Sequence, residues 1–230
     1  MPRSARQVVP GFPHHIVQRG NRRQTIFFTD QDRRAYLRWL AEATRACGVD
    51  VWAYCLMTNH VHLVAVPARL DSLARCLGVV NTKYAIRINR RKGWSGHLWQ
   101  GRFKSSVMDA SHAVAAVRYV EQNPVRARLV QQAWEYPWSS ARHHTRDRDR
   151  DIVVRGDESL RAMVPDWRTF LRVRTPATLK AVFLKNTEAC RAIGAPIFLK
   201  QLASEYGIHE QRRPAGRPRK RQEKPGTVPD

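Results

Sequence analysis

The stretch Asn59-His60-Val61-His62-Leu63-Val64 constrains the fold more than any other part of the chain. In an extended strand neighbouring side chains leave opposite faces, so His60 and His62 share one face while Val61, Leu63 and Ala65 share the other. The apolar set calls for a helical layer to bury against. Burial of that face fixes the backbone and aims both imidazoles at a common point, where a divalent cation can sit. The same pattern also describes an ordinary half-buried strand that carries two histidines, and spacing alone leaves both readings open.

Around this strand the chain supplies the parts of a mixed α and β domain. Phe12 to Arg19 reads as a first strand, closed by the turn-forming pair Gly20-Asn21, with Arg19, Arg22 and Arg23 clustered there. Thr29 or Asp30 can cap a helix with apolar positions Tyr36, Leu37, Leu40, Ala43 and Cys47, which Gly48 ends. Val49 to Met57 predicts a buried strand, and Thr58-Asn59 turns it into the histidine strand, a hairpin expected at the centre of the sheet. From Ser72 to about Arg91, Leu73, Leu77, Val80, Tyr84 and Ile88 form a helical stripe, with Lys83, Arg87, Arg90, Arg91 and Lys92 mostly elsewhere.

His97 to Gln100 and Phe103 to Met108 predict a further strand or hairpin, interrupted by Gly101. There Trp94, Trp99, Arg102, Phe103 and Lys104 interleave rings with cations. Exposed bases stack on such rings while phosphates meet the cations, but a tryptophan is as readily part of a core. Ser111 can cap a helix that runs to Asn123 and stops at Pro124, with Val114, Val117 and Val120 as its buried stripe. Tyr119 and Asn123 lie one turn apart on another face of that helix.

Charge points to the partner. Lys and Arg number 41 against 19 Asp and Glu, a net charge of +22, which calls for a polyanion, nucleic acid first. No segment is apolar enough to span a bilayer, so a membrane is not expected as partner. Cys47, Cys55, Cys76 and Cys190 show no paired spacing and read as reduced, and Met1 to Pro13 has no apolar run of the kind a secretory leader needs. A cytoplasmic protein is expected. The alternating charges of residues 146–151 open a linker over 146–165, and amphipathic segments around Trp167 to Val173, Thr178 to Asn186 and Pro196 to Tyr206 predict a small helical unit over 166–207. Residues 208–230 are basic and rich in Pro and Gly and are expected to be disordered; their Gly216-Arg217-Pro218-Arg219-Lys220 is similar to an AT-hook core, or serves generic electrostatic binding.

Four motifs occur in order: Arg19-Gly20-Asn21, Met57-Thr58-Asn59-His60-Val61-His62-Leu63-Val64, Leu98-Trp99-Gln100-Gly101-Arg102-Phe103-Lys104-Ser105 and Tyr119-Val120-Glu121-Gln122-Asn123-Pro124-Val125-Arg126-Ala127. Together they resemble the REP-associated tyrosine transposases of bacteria, a branch of the IS200-like single-tyrosine transposases, over residues 1–145. The resemblance implies an α+β, ferredoxin-like antiparallel sheet with helices on one face, the HUH endonuclease fold, and a small helical DNA-binding extension. It implies that His60 and His62 bind Mg2+ or Mn2+, with Asn123 as third ligand where most IS200-like enzymes place a glutamine. Tyr119 would be the nucleophile. Arg19, Asn21, Arg22, Arg23, Trp99, Arg102, Phe103 and Lys104, with Arg217 and Arg219 in the tail, would contact DNA.

The implied activity is metal-dependent nicking and strand transfer on single-stranded DNA with hairpin-forming repeats, through a 5′-phosphotyrosine, by a nucleoid-associated bacterial protein. A monomer is favoured, with a domain-swapped dimer as the alternative. The rival function is a domesticated member that binds repeat hairpins in DNA or RNA without cutting. A structural zinc site of Cys55, His60 and His62 matches none of the usual closed spacings.

Overall fold

Alternation along the strands is realised as a sheet with two unlike faces. In this computed structural model, which describes residues 7–146 and 151–208, β1 (His14–Arg19), β2 (Val49–Met57), β3 (His60–Pro67) and β4 (Lys104–Val107) form an antiparallel sheet of order β2-β3-β1-β4. The β2–β3 hairpin forms as expected, but β3 and β1 are central and β2 lies at the edge. Among the described residues, β2 is met on its outer side by local bridges, Val51 to Val154 and Cys55 to Ser139.

One face is covered by α1 (Asp30–Cys47) and α2 (Ser72–Lys92), the helical layer that the apolar side of β3 called for. Thr29 and Asp32 form a reciprocal capping box at the start of α1, and Gly48 closes it with φ 64°, a left-handed conformation that glycine adopts without strain. Ile16, Val61, Leu63 and Ala65 meet the α2 stripe Leu73, Leu77, Val80, Tyr84 and Ile88 in one buried cluster. Each large apolar side chain buried there contributes about 1.5–3 kcal/mol. Arg91 on α2 donates two hydrogen bonds, 2.5 and 2.7 Å, to the buried Asp32 carboxylate and so ties the helices together.

The opposite face carries α3 (Ala110–Glu121), followed at once by α4 (Asn123–Arg126), then α5 (Ala141–Thr145), α6 (Glu158–Ala162), α7 (Trp167–Arg172) and α8 (Ala177–Ala189), while α9 (Pro196–Tyr206) packs Phe198 and Leu202 on Val107 of β4 and on Val9. Cys55, Val64, Val117, Val120, Trp167 and Phe183 belong to the cluster that α3, α7 and α8 build on this side. The helical segments expected over 166–207 therefore share a core with the sheet.

Four local expectations change. Asp109, not Ser111, caps α3, because its carboxylate accepts the His112 N–H at 2.8 Å while Ser111 merely donates to it. Pro124 does not end the helical run but sits in the first turn of α4, where its missing N–H costs no intrahelical bond. Of the two alternatives for residues 97–108 the hairpin is not formed and the strand is: Trp99 makes a single bridge to Gly20, and β4 pairs with β1 on the side away from β3. Within the segment read as linker, Val153 and Val154 are buried and Arg155 N–H bonds Val51 O at 2.9 Å, since an apolar Ile-Val-Val follows the charged run. The tail with Arg217 and Arg219 lies outside the described residues.

Candidate active site

Strand register assembles the site from the first two motifs. Arg19 stands opposite His60 and Val17 opposite His62, on the face away from α1 and α2. Gly20 N–H bonds Asn59 O at 2.9 Å. A Cβ at Gly20 would stand 2.6 Å from Gln24 O and 2.7 Å from the Ile26 side chain, so only glycine fits this crossing. The Asn59 amide donates to Arg23 O at 2.9 Å and its Oδ1 meets His60 Nδ1 at 2.6 Å. In this way the arginine turn and the histidine strand form one unit, and the turn holds Arg22 and Arg23 at positive φ, 49° and 60°.

His15, on β1, lies on the same face. Its Nε2 meets His62 Nδ1 at 3.1 Å, its Nδ1 meets Thr187 Oγ1 of α8 at 2.8 Å, and the two rings stack at 5.3 Å. With Nδ1 engaged on both His60 and His62, the Nε2 atoms remain as ligand atoms. Burial, reinforced by neighbouring cationic groups, pushes His60 and His15 down to about 3 and His62 well below its ordinary value. Neutral imidazole is the form that binds a metal.

Tyr119 reaches this pair within the same chain. Its buried ring meets His62 edge-on at 5.8 Å and His15 at 5.7 Å. Arg126 places its guanidinium carbon 4.2 Å from the centre of the tyrosine ring and donates from Nη2 to Asn123 Oδ1 at 2.5 Å. The amide oxygen expected as third ligand therefore holds Arg126, while Asn123 Nδ2 donates to Val120 O. Burial raises the Tyr119 hydroxyl above its ordinary pKa, against the pull of Arg126 and Arg19. Phe183 of α8 covers the ring at 5.3 Å, leaving a cavity of about 20 Å³ bordered by His15, Arg19, His62, Tyr119 and Thr187.

A family model described as "Transposase IS200 like" matches residues 9–123, half of the chain, and spans His60, His62, Tyr119 and Asn123. The chain belongs to the IS200-like transposase family. The membership makes it a DNA-processing enzyme in general terms. Among solved structures, a REP-associated tyrosine transposase bound to a REP hairpin aligns with TM-score 0.54 at 18% identity, covering 68% of this chain and 93% of that one. The fold is thus shared. A second solved structure, from Deinococcus radiodurans R1, gives TM-score 0.37 at 17% identity over 56% of this chain and 94% of that one. Comparison with curated protein sequences finds no match. Among the described residues no helix is long and apolar enough to cross a membrane.

In this IS200-like transposase the residues expected to contact DNA divide sharply. Arg22, Arg23 and Arg102 are exposed, and Arg19 and Asn21 are half-buried. Lys104 donates to Glu188 O at the end of α8 at 3.0 Å. Trp99 packs its ring against Tyr36 and Tyr84 and donates its indole N–H to Asn81 O, and Phe103 is buried in the α1–α2 core. Those two rings serve the core, and Trp94, 42% exposed, keeps its ring at the surface. Between α2 and residues 96–103 runs a groove of about 820 Å³ with Asn21, Asn81, Asn89 and Gln100 in its walls.

Sequence reading missed His15, Thr187 and Arg126. Pairing the two central strands would have put His15 on the His62 face. Arg126 stands inside the fourth motif, seven residues from Tyr119, two helical turns that the break between α3 and α4 obscures. A further cluster, His143, His144 and Asp157, brings metal-ligating atoms within 4.8 Å of one another.

Proposed function

We propose that this transposase nicks and rejoins single-stranded DNA beside hairpin-forming repeats, through a covalent bond between Tyr119 and a 5′ phosphate, as a member of the REP-associated branch. The observation that carries this reading is the edge-on approach of Tyr119 to His62 within one chain, at 5.8 Å. That arrangement also supports a monomer that cuts with its own tyrosine.

Cleavage places the Tyr119 oxygen in line with the departing 3′ oxygen. A bond forms from Oη to phosphorus, the bond from phosphorus to O3′ breaks, the phenol loses its proton to solvent and the 3′ oxygen takes one up. A phenol is a weak nucleophile at neutral pH, and burial weakens it further. Arg126 over the ring and Arg19 beside it offset this by favouring the phenolate. The His60 and His62 Nε2 atoms would hold a divalent cation, which supplies charge neutralisation at a non-bridging phosphate oxygen. Two imidazoles suit Mn2+ better than Mg2+, with the Asn123 oxygen as a harder ligand once Arg126 turns from it to the phosphate.

Thr187 and His15 hold the His62 ring in its orientation, the role that outer-shell partners take around ligating histidines. A 3′ hydroxyl attacking the phosphotyrosine reverses the step and rejoins strands without ATP. Phe183 closes over this small cavity, so entry of DNA would require its side chain or α8 to move. Exposed Arg22, Arg23 and Arg102 would hold the backbone and set register.

The reading as a hairpin binder that does not cut is favoured by one observation, the closure of Tyr119 under Phe183. A hairpin oligonucleotide incubated with protein and Mn2+ separates the two. We expect a denaturant-resistant adduct that is lost in EDTA, in Tyr119→Phe and in His62→Ala, with Tyr119→Phe still binding. Unchanged binding in EDTA with no adduct in Mn2+ would leave the binder reading standing.

A further inference from the structure

A second set of ligand-type side chains lies across α3 from the tyrosine. Glu121, two residues on and so about 200° around the helix from Tyr119, points to it. α5 contributes His143 and His144, and the residue before α6 contributes Asp157. His143 Nε2 and His144 Nε2 stand 3.3 and 3.5 Å from the same Asp157 Oδ2. Ligands about 2.0–2.1 Å from a tetrahedral zinc lie about 3.4 Å from one another, so these separations are those of two edges of such a site.

Three further observations point the same way. The His144 side chain is 0% exposed, and the contact of its Nε2 is the 3.5 Å approach to Asp157, longer than an ordinary hydrogen bond and so poorly satisfied for a buried group. Its other nitrogen, Nδ1, meets Glu121 Oε1 at 2.6 Å, and that carboxylate receives the Ser140 hydroxyl at 2.5 Å. A carboxylate behind a histidine is the arrangement that orients and strengthens a metal-bound imidazole. Asp157 stands at the N-cap of α6 yet makes no capping hydrogen bond, its carboxylate being turned to the histidines. Arg161 Nε, 3.3 Å from the same Oδ2, is on a side chain 38% exposed and can swing outward as an ion enters.

We propose that His143, His144 and Asp157 bind a divalent cation of the zinc type, with water as fourth ligand, and that the ion clasps α5 to the start of α6. Two imidazoles and one carboxylate select a d-block cation over Mg2+ or Ca2+. Entry of the ion displaces the Nε2 proton of each ring. The proton from His143 passes to its own Nδ1, which gives up the 3.4 Å hydrogen bond it accepts from the Asp151 N–H. The proton from His144 goes to solvent. Burial alone would lower His144, but Glu121 and Asp157 push it up to about 9. His144 also stacks on Trp167 of α7 at 4.2 Å, so the clasp extends to the helices that pack beside Tyr119.

The test uses the full chain with His62→Ala, which silences the histidine pair of the proposed active site. Calorimetric titration with ZnCl2 should find one equivalent, and zinc at a hundredfold above its Kd should raise Tm by about 5–10 °C, with MgCl2 giving no such rise. Adding His143→Ala, at a side chain on the rim, should leave the zinc-free Tm unchanged and remove both the equivalent and the rise. Asp157→Asn should remove both the equivalent and the rise from a lower zinc-free Tm, and serves if the first variant does not fold. Absence of a bound equivalent, an equivalent that survives both substitutions, or an equal rise with MgCl2 would overturn the proposal.

Discussion

The two faces of this sheet are built from alternate residues of the same strands, yet they are physically opposite. Val61, Leu63 and Ala65 meet α1 and α2 in a cluster of aliphatic and aromatic side chains. His15, His60 and His62, one residue away in each case from an apolar neighbour, meet Tyr119, Thr187 and Arg126 in a site of polar groups taken out of water. The first face supplies stability through area removed from water. The second costs desolvation, which keeps the imidazoles neutral and raises the phenol. One strand therefore carries the scaffold and the reactive groups back to back, so the rigidity of the first sets the precision of the second.

Adjacent residues on β3 break the comparison most directly. His62→Ala should lower cleavage about a thousandfold, the loss of about 4 kcal/mol at the transition state, with little change in fold by circular dichroism. Leu63→Ala should instead cost about 2–5 kcal/mol of stability by denaturant unfolding, with activity per folded molecule retained. If both variants lose activity and stability alike, the two faces do not divide the work.

Arg126→Gln sharpens the same contrast. It removes the charge over the Tyr119 ring, and single-turnover cleavage should slow about a hundredfold while hairpin binding stays within a few fold. His15→Ala should act through His62 and cost about 10–100-fold in cleavage, with a weaker apparent affinity for Mn2+ as the sign of a positioning role.

The smallest effect is on the scaffold side. Burial alone would raise the Asp32 carboxyl, but hydrogen bonds from Arg91 and from the N–H groups of Thr29 and Phe28 hold it below its ordinary range. A depressed folded pKa contributes stability above the unfolded value of about 3.9 and loses it as pH falls through the folded one. Asp32→Asn should therefore be about 2 kcal/mol less stable at pH 7, and unfolding curves of the two proteins should converge below about pH 4.

Features governed by local periodicity were legible in the sequence. The alternation of β3, the α2 stripe and a cap at the start of α1, read as Thr29 or Asp30 and found at Thr29, each depend on residues within a few positions of one another. Tyr119 was legible through its motif, since nothing in the valine stripe of α3 says which strand it faces. His15 and Thr187 were not, because their contacts join distant segments. His15 meets Thr187 across 172 positions. Trp99 and Phe103 misled for the complementary reason: a ring beside cations reads the same whether it turns outward to a base or inward to Tyr84.

The central claim is that Tyr119 opens the phosphodiester at the histidine face, and mapping the covalent adduct tests it most directly. Protein reacted with a hairpin oligonucleotide in Mn2+ is digested, and the nucleotide-bearing peptide is sequenced by mass spectrometry. The expected result is a single modified residue, Tyr119, joined to a 5′ phosphate. A nucleotide on any other side chain, or an adduct that forms equally well in EDTA, would contradict it.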